Sequence, residues 1–237
     1  MTQQLPLDIT VRESASFANY IFGKNDAIYE ILQQLISGKG ENSIYLWGTS
    51  GTGKTHLLQA ICQQVAQYNN TPAYISLNQL EMLTPDILEG LETLDLVCID
   101  DIHCIAGQTE WEQALFHLFN RLQDNHVPLI MTAHVSPKKL NLYLPDLTSR
   151  LTWGGVFQLQ PLTDEEKVDA LQKHAAVLGL TLSAKVARYL LQHCSRDMPT
   201  LMEWLQRLDY ASLSHSRKLT LPFVRQLLAQ NNESENK

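Results

Sequence analysis

Basic charge is in short supply. The 237 residues carry 18 Lys and Arg against 25 Asp and Glu, a formal charge of −7, which argues against a broad non-specific nucleic-acid surface. Contact with DNA is then expected to run through a partner. Cysteine is scarce as well: Cys62, Cys98, Cys104 and Cys194 form no CxxC pair and no metal-ligand spacing. Three of them stand inside apolar runs where a buried thiol is ordinary, and a reducing cytoplasm is the expected setting. No basic segment followed by an apolar stretch opens the sequence, and no run approaches the ~18 apolar residues of a membrane span. Neither export nor membrane insertion is expected. Internal repeats are missing too.

What is present is enough apolar material for a core, 44% of residues, arranged in two different patterns. Between Ser43 and Ile130, short apolar runs alternate with helical periods. "SIYLW" is followed by a helix over about Lys54–Tyr68, "AYISL" by a helix near Pro85–Leu91, "LDLVCID" by a helix over about Trp111–Gln123, and then "VPLIMT". Strands of this near-continuous apolar kind predict a parallel sheet covered on both faces, an α/β unit. After Pro161 only helical periods remain, at Lys167–Leu178, Ala184–His193, Leu201–Leu213 and Phe223–Leu228. "TDEE" offers Thr163 as an N-cap with Glu166 three residues on, a capping box. Residues 1–12 read as a tail, 13–160 as the α/β core, 161–230 as a small helical domain, and 231–237 ("NNESENK") as a frayed end.

"GTSGTGKT", Gly48–Thr55, follows a strand and precedes a helix, the context that GxxxxGK[ST] requires. In such a loop Gly48, Ser50, Gly51, Thr52 and Gly53 let backbone N–H groups turn toward phosphate oxygens, aided by the positive helix N-terminus. Lys54 would reach the β- and γ-phosphates and Thr55 would give its hydroxyl to Mg²⁺. "LVCIDD" ends a second buried strand: Asp100 would hold Mg²⁺ through water, and Asp101 would polarise an attacking water. The predicted ligand is ATP or ADP with Mg²⁺.

"IDDIHCIAGQTEWEQALFHLFNRL" resembles the AAA+ ATPase domain of the DnaA family of bacterial replication initiators, with the double aspartate, "IxxxAG" and an "FHxFN" helix. "FANYIFGKNDAIYEIL" (Phe17–Leu32) resembles that family's adenine-enclosing segment, which implies a nucleotide contact for Ile21 and Phe22. "LPDLTSRLTWGG" (Leu144–Gly155) resembles the segment bearing its arginine finger. The likeness extends from Phe17 to about Leu228 and implies an AAA+ P-loop NTPase core with a parallel sheet, followed by a small all-helical lid. DnaA itself has an N-terminal interaction region and a C-terminal helix-turn-helix reader, for which this chain is expected to have no room. A free-standing core of this type resembles the Hda family of DnaA regulators, and the implied function is negative regulation of replication initiation by promoting hydrolysis of ATP held by DnaA.

That family carries near its start a motif for the β sliding clamp of DNA polymerase III, and here Gln4, Leu5, Leu7 and Ile9 in "QQLPLDI" fit its spacing. An extended segment can bond through its backbone while alternate side chains enter apolar pockets; Pro6, lacking a donor, tempers this. Packing of the stretch on its own domain is the plainer alternative. Likewise Arg150, read from its neighbours alone, is a surface residue pairing with Asp146, an interaction of a few tenths of a kcal/mol. The resemblance implies instead a finger acting in trans on DnaA.

Two positions depart from the DnaA pattern. Pro199 stands where that family has a lid arginine, with Arg196 a doubtful substitute. His134 stands where it has an aspartate, leaving Thr132 as the implied polar sensor and His134 itself as a surface residue. Weak or no ATP turnover by the chain itself is expected. An autonomous ATPase of the helicase-loader kind acting as a homo-oligomer is the alternative, and a small-molecule kinase ranks below it; the oligomeric state stays open between head-to-tail pairing of AAA+ surfaces and a homodimer that hides Arg150.

Overall fold

The computed structural model describes residues 15–215 and 219–235. Gln4, Leu5, Leu7 and Ile9 lie outside the described residues. The chain divides after Pro161 into two compact units.

The first unit is built on five strands: β1 (Ser43–Trp47), β2 (Pro72–Ser76), β3 (Leu96–Asp100), β4 (Leu129–Ala133) and β5 (Gly155–Gln158), in the spatial order β2-β3-β4-β1-β5. All four pairings are parallel. The apolar runs are continuous because successive side chains enter different cores. Tyr45, Val97, Ile99, Leu129 and Met131 join α3 (Thr109–Asp124) and α4 (Pro145–Leu151) on one face. Ile44, Leu46, Leu96, Cys98 and Ile130 join α1 (Asp26–Ile36) and α2 (Lys54–Gln67) on the other. At ~1.5–3 kcal/mol per fully buried large side chain, this two-sided burial is what holds the strand ends in place. The order reverses around β1, and in open α/β sheets the ligand crevice lies beyond the carboxyl ends of strands at such a point.

The helix expected near Pro85–Leu91 is instead two 3₁₀ turns, Pro85–Leu88 and Leu91–Thr93. Gly90, at φ 75°, breaks the run. The Arg121 guanidinium on α3 then secures the segment, donating to the Leu88 carbonyl at 2.8 Å and to Glu92 at 3.1 Å.

The second unit contains α5 (Asp164–Val177), α6 (Ala184–His193), α7 (Met198–His215) and α8 (Leu221–Glu235). Leu171, Ala175, Ala187, Leu190, Leu201, Leu205, Leu208 and Val224 form its core. The capping box is present: Glu166 N–H donates to Thr163 Oγ1 at 3.3 Å and Thr163 N–H to Glu166 Oε2 at 2.7 Å. α7 starts three residues before its apolar period, because Asp197 accepts from the Thr200 N–H at 2.8 Å and Pro199 fits a first turn that needs no N–H from it. α8 continues to Glu235, past Leu228 and into the stretch read as a frayed end. Neither Gly nor Pro interrupts Gln226–Glu235, so nothing in the backbone chemistry stops the helix where the apolar period stops. Among the described residues no helix is long and apolar enough to cross a membrane.

Candidate functional site: a phosphate cradle and an exposed guanidinium

The loop between β1 and α2 turns through Gly51 (φ 78°) and Gly53 (φ 85°). A Cβ on Gly53 would meet the Tyr20 ring at 2.9 Å, and one on Gly48 would meet the Leu159 carbonyl oxygen at 2.8 Å. Both glycines are therefore required by close approach, and Gly53 also by its backbone. Lys54 is buried, and its ammonium donates to the carbonyls of Gly48 at 2.8 Å and Thr49 at 3.0 Å. Burial pulls its pKa down, opposed by the carboxylates of Asp101 and Asp100. Thr52 Oγ1 donates to the Thr49 carbonyl at 2.9 Å, closing the turn. Ser50 is exposed at the loop's tip.

Asp100, the last residue of β3, is 1% exposed and accepts from three hydroxyls. Thr55 reaches Oδ2 at 2.6 Å, Tyr74 reaches Oδ2 at 2.9 Å, and Thr132 donates to Oδ1. Burial, then the Asp100 charge, pushes the Tyr74 phenol well above its usual range, so it stays a donor. Thr132 also accepts from the Asp101 N–H at 3.1 Å. It thus orients both aspartates from the neighbouring strand. Asp101 has left-handed backbone (φ 59°), a conformation that costs a non-glycine residue ~1–3 kcal/mol and recurs at functional sites. Burial, then Asp100, raises its pKa, while His134 and Lys54 act the other way.

Sequence reading does not single out His103. Its Nδ1 lies 3.8 Å from Asp101 Oδ1, and His134 Nε2 lies 3.7 Å from the same oxygen. The two imidazoles stack with centroids 4.1 Å apart. His134, expected as a surface residue, is thereby drawn to Asp101 although its side chain is 46% exposed. Burial lowers the His103 pKa, with the neighbouring His134 adding to the effect.

The segment bearing Ile21 and Phe22 lies beside the cradle. Tyr20 O–H reaches the Thr52 carbonyl at 3.5 Å, and His56 Nε2 on α2 meets the Ser16 carbonyl at 3.1 Å and Asn19 Oδ1 at 3.0 Å. The Phe22 ring packs edge-on against Tyr20 and Tyr29 at 4.6 and 5.4 Å. Asn25 closes the segment against the end of β5, exchanging hydrogen bonds of 3.0 and 2.8 Å with the backbone of Gln160. Ile21 and Phe22 are both half-buried. The arrangement fits a nucleoside triphosphate with Mg²⁺: backbone turned by glycines, one buried cation, and a hydroxyl and carboxylate converging at 2.6 Å.

Arg150 belongs to a different surface. It is the penultimate residue of α4, half-buried, with its guanidinium carbon 4.6 Å from the Trp153 ring centroid and 5.9 Å from that of Phe116. Phe116, Asp146, Ser149, Arg150 and Trp153 line a shallow open cavity of about 400 Å³. Among the described residues no ion pair joins Arg150 to Asp146, the pairing its spacing suggested. Glu112 on α3, fully buried, holds this region: it accepts from the Gly107 N–H and from the Leu144 N–H at the start of α4, both at 2.8 Å.

Comparison with known proteins gives the family and the fold. A family model described as the bacterial DnaA ATPase domain matches residues 11–158, and one described as the Hda lid domain matches residues 164–228. Domain III of the replication initiation protein DnaA from Thermotoga maritima is 24% identical, with a TM-score of 0.79 over 92% of this chain and 97% of that one. AMPPCP-bound DnaA from Aquifex aeolicus is 22% identical, with a TM-score of 0.70 over 84% of this chain and 66% of that one, so the chain spans about two thirds of that protein. The RuvB Holliday-junction branch migration motor of Thermotoga maritima shares the fold at 17% identity, with a TM-score of 0.65 over 90% of this chain and 70% of that one. At these identities the structural likeness is one of fold, and the family rests on the matched models. The chain belongs to the bacterial DnaA ATPase-domain family of AAA+ proteins, with a second unit of the Hda lid type.

Proposed function

We propose that this chain is a negative regulator of replication initiation that holds ADP or ATP with Mg²⁺, docks on the β sliding clamp, and promotes hydrolysis of ATP bound to DnaA. The observation that carries the reading is Arg150 on an open face. Its guanidinium is braced by the flat face of Trp153 and paired with no carboxylate among the described residues. A cation so held keeps its charge for a neighbour's phosphates, and a finger in trans contributes ~10³–10⁵ in rate in other nucleotide hydrolases.

The chain's own cradle then serves as a holding site. Lys54 and the loop N–H groups bind phosphate, Thr55 and Asp100 hold Mg²⁺, the latter through water, and Ile21 and Phe22 border the base. When bound, Mg²⁺ spreads the phosphate charge. Asp101 would accept a proton from water, but Pro199 stands where the family has a lid arginine, so slow turnover of its own nucleotide is expected.

Docking is assigned to Gln4, Leu5, Leu7 and Ile9, which bring an acidic protein to DNA by way of the clamp. Pull-down of the clamp by the full chain, compared with the chain lacking residues 1–12, is expected to retain clamp only in the first case. Equal retention removes the tether from the account.

A further inference from the structure

Asp101, His103 and His134 form a cluster beside the phosphate cradle in which only Asp101 has a role so far, as a base; an ion bound there takes Asp101 as a ligand and so opposes turnover of the chain's own nucleotide. Asp101 and His103 stand in the left-handed step and the 3₁₀ turn Ile102–Ile105 that follow β3, and His134 directly follows β4. These two strands pair side by side through Val97–Leu129, Cys98–Ile130 and Ile99–Met131. The three side chains therefore spring from adjacent strand ends of a buried sheet, the kind of rigid support a coordination site needs.

One ligand atom from each residue lies within 4.8 Å of the others. The two imidazole nitrogens are 3.8 and 3.7 Å from Asp101 Oδ1. Those distances are too long for hydrogen bonds. Tetrahedral coordination with bonds of about 2.0–2.2 Å separates ligand atoms by about 3.3–3.6 Å, so the carboxylate distances need to close by only a few tenths of an ångström, while the stacked imidazoles must turn to bring both nitrogens onto one ion. His103 Nδ1 is buried and has no hydrogen-bond partner, a rarity that calls for a cause. Its other nitrogen, Nε2, lies 3.8 Å from Cys104 Sγ. With the proton on Nε2 directed at the sulfur, Nδ1 keeps its lone pair toward Asp101, the arrangement by which an outer partner fixes the tautomer of a ligating histidine.

We propose that Asp101, His103 and His134 bind one divalent transition ion of the zinc class, leaving one coordination position open to water. Two imidazoles and a carboxylate suit such an ion, whereas Mg²⁺ takes oxygen ligands and pairs with Thr55 and Asp100 instead. Cys104 acts on His103 from outside the coordination sphere.

The test uses the full chain, stripped with chelator and dialysed against zinc chloride. One zinc per chain is expected by atomic emission, undisplaced by millimolar Mg²⁺. His134→Gln, at a half-exposed position outside the apolar core, should weaken zinc binding by about 100-fold or more, and Cys104→Ser by about 10-fold. Asp101→Asn repeats the ligand loss independently, and metal-free thermal melts matching the unsubstituted chain separate lost ligation from lost folding. Cobalt in place of zinc should give four-coordinate visible bands with no thiolate charge-transfer band. The proposal is overturned by absence of bound zinc, by unchanged affinity in both His134→Gln and Asp101→Asn, or by a thiolate band that moves the metal onto cysteine.

Discussion

Replacing Arg150 by alanine is expected to abolish stimulation of DnaA's ATP hydrolysis while leaving the chain's fold, nucleotide binding and clamp binding intact. Loss of a finger worth ~10³–10⁵ in rate corresponds to about 4–7 kcal/mol of transition-state stabilisation. The cost to the chain itself is small, because the side chain is half-exposed and its contact with Trp153 is a surface cation–π interaction of ~0.5–1 kcal/mol. Arg150→Lys separates charge from shape: lysine keeps the charge but loses the planar fork and the flat stacking face, so partial stimulation should remain. Phosphate release from DnaA preloaded with ATP reads both variants. Stimulation by Arg150→Ala equal to that of the unsubstituted chain would remove the finger from the mechanism.

The second large effect is expected at Glu112, far from any phosphate. A fully buried carboxylate is tolerated there because two backbone N–H groups, of Gly107 and Leu144, donate to its two oxygens and because it sits in the first turn of α3, where negative charge is favoured. Glu112→Ala leaves both donors buried without partners, at ~1–3 kcal/mol each. A combined loss of about 2–5 kcal/mol lowers the melting temperature by about 5–15 °C for a unit of this size. Because Leu144 is the N-cap of the helix that carries Arg150, stimulation of DnaA should also fall at temperatures where the variant is still folded. Glu112→Gln retains one good acceptor and should show a smaller loss of both. A circular-dichroism melt of Glu112→Ala that superimposes on that of the unsubstituted chain would contradict this reading of the staple.

What the sequence made legible was whatever rests on local chemistry. The P-loop, the capping box of Thr163 and Glu166, the apolar runs of β1 to β4 and the span of α6 each declare themselves within a few residues. β5 did not, because Gly155–Gln158 alternates half-buried and exposed residues at the sheet edge and opens on glycine. The helix expected near Pro85–Leu91 has the right apolar spacing, and the positive φ of Gly90 is what breaks it into turns. Nothing in the local spacing of Glu112 marks it as buried, because one of the two N–H groups that hold it, that of Leu144, lies far along the chain. Tyr74 and His103 escaped notice for a related reason, since their partners Asp100 and His134 reach them only through the pairing of β2 with β3 and of β3 with β4. The signal for the first was a phenol on the strand beside an acid-terminated one, visible only once the strand order is known.

The most direct test is a single-turnover assay in which DnaA carries γ-labelled ATP and this chain carries unlabelled ADP, with clamp loaded on DNA. The account predicts that adding the chain accelerates release of labelled phosphate by orders of magnitude, since all of the label began on DnaA. Release at the rate of DnaA alone, with clamp and chain both bound, would contradict it.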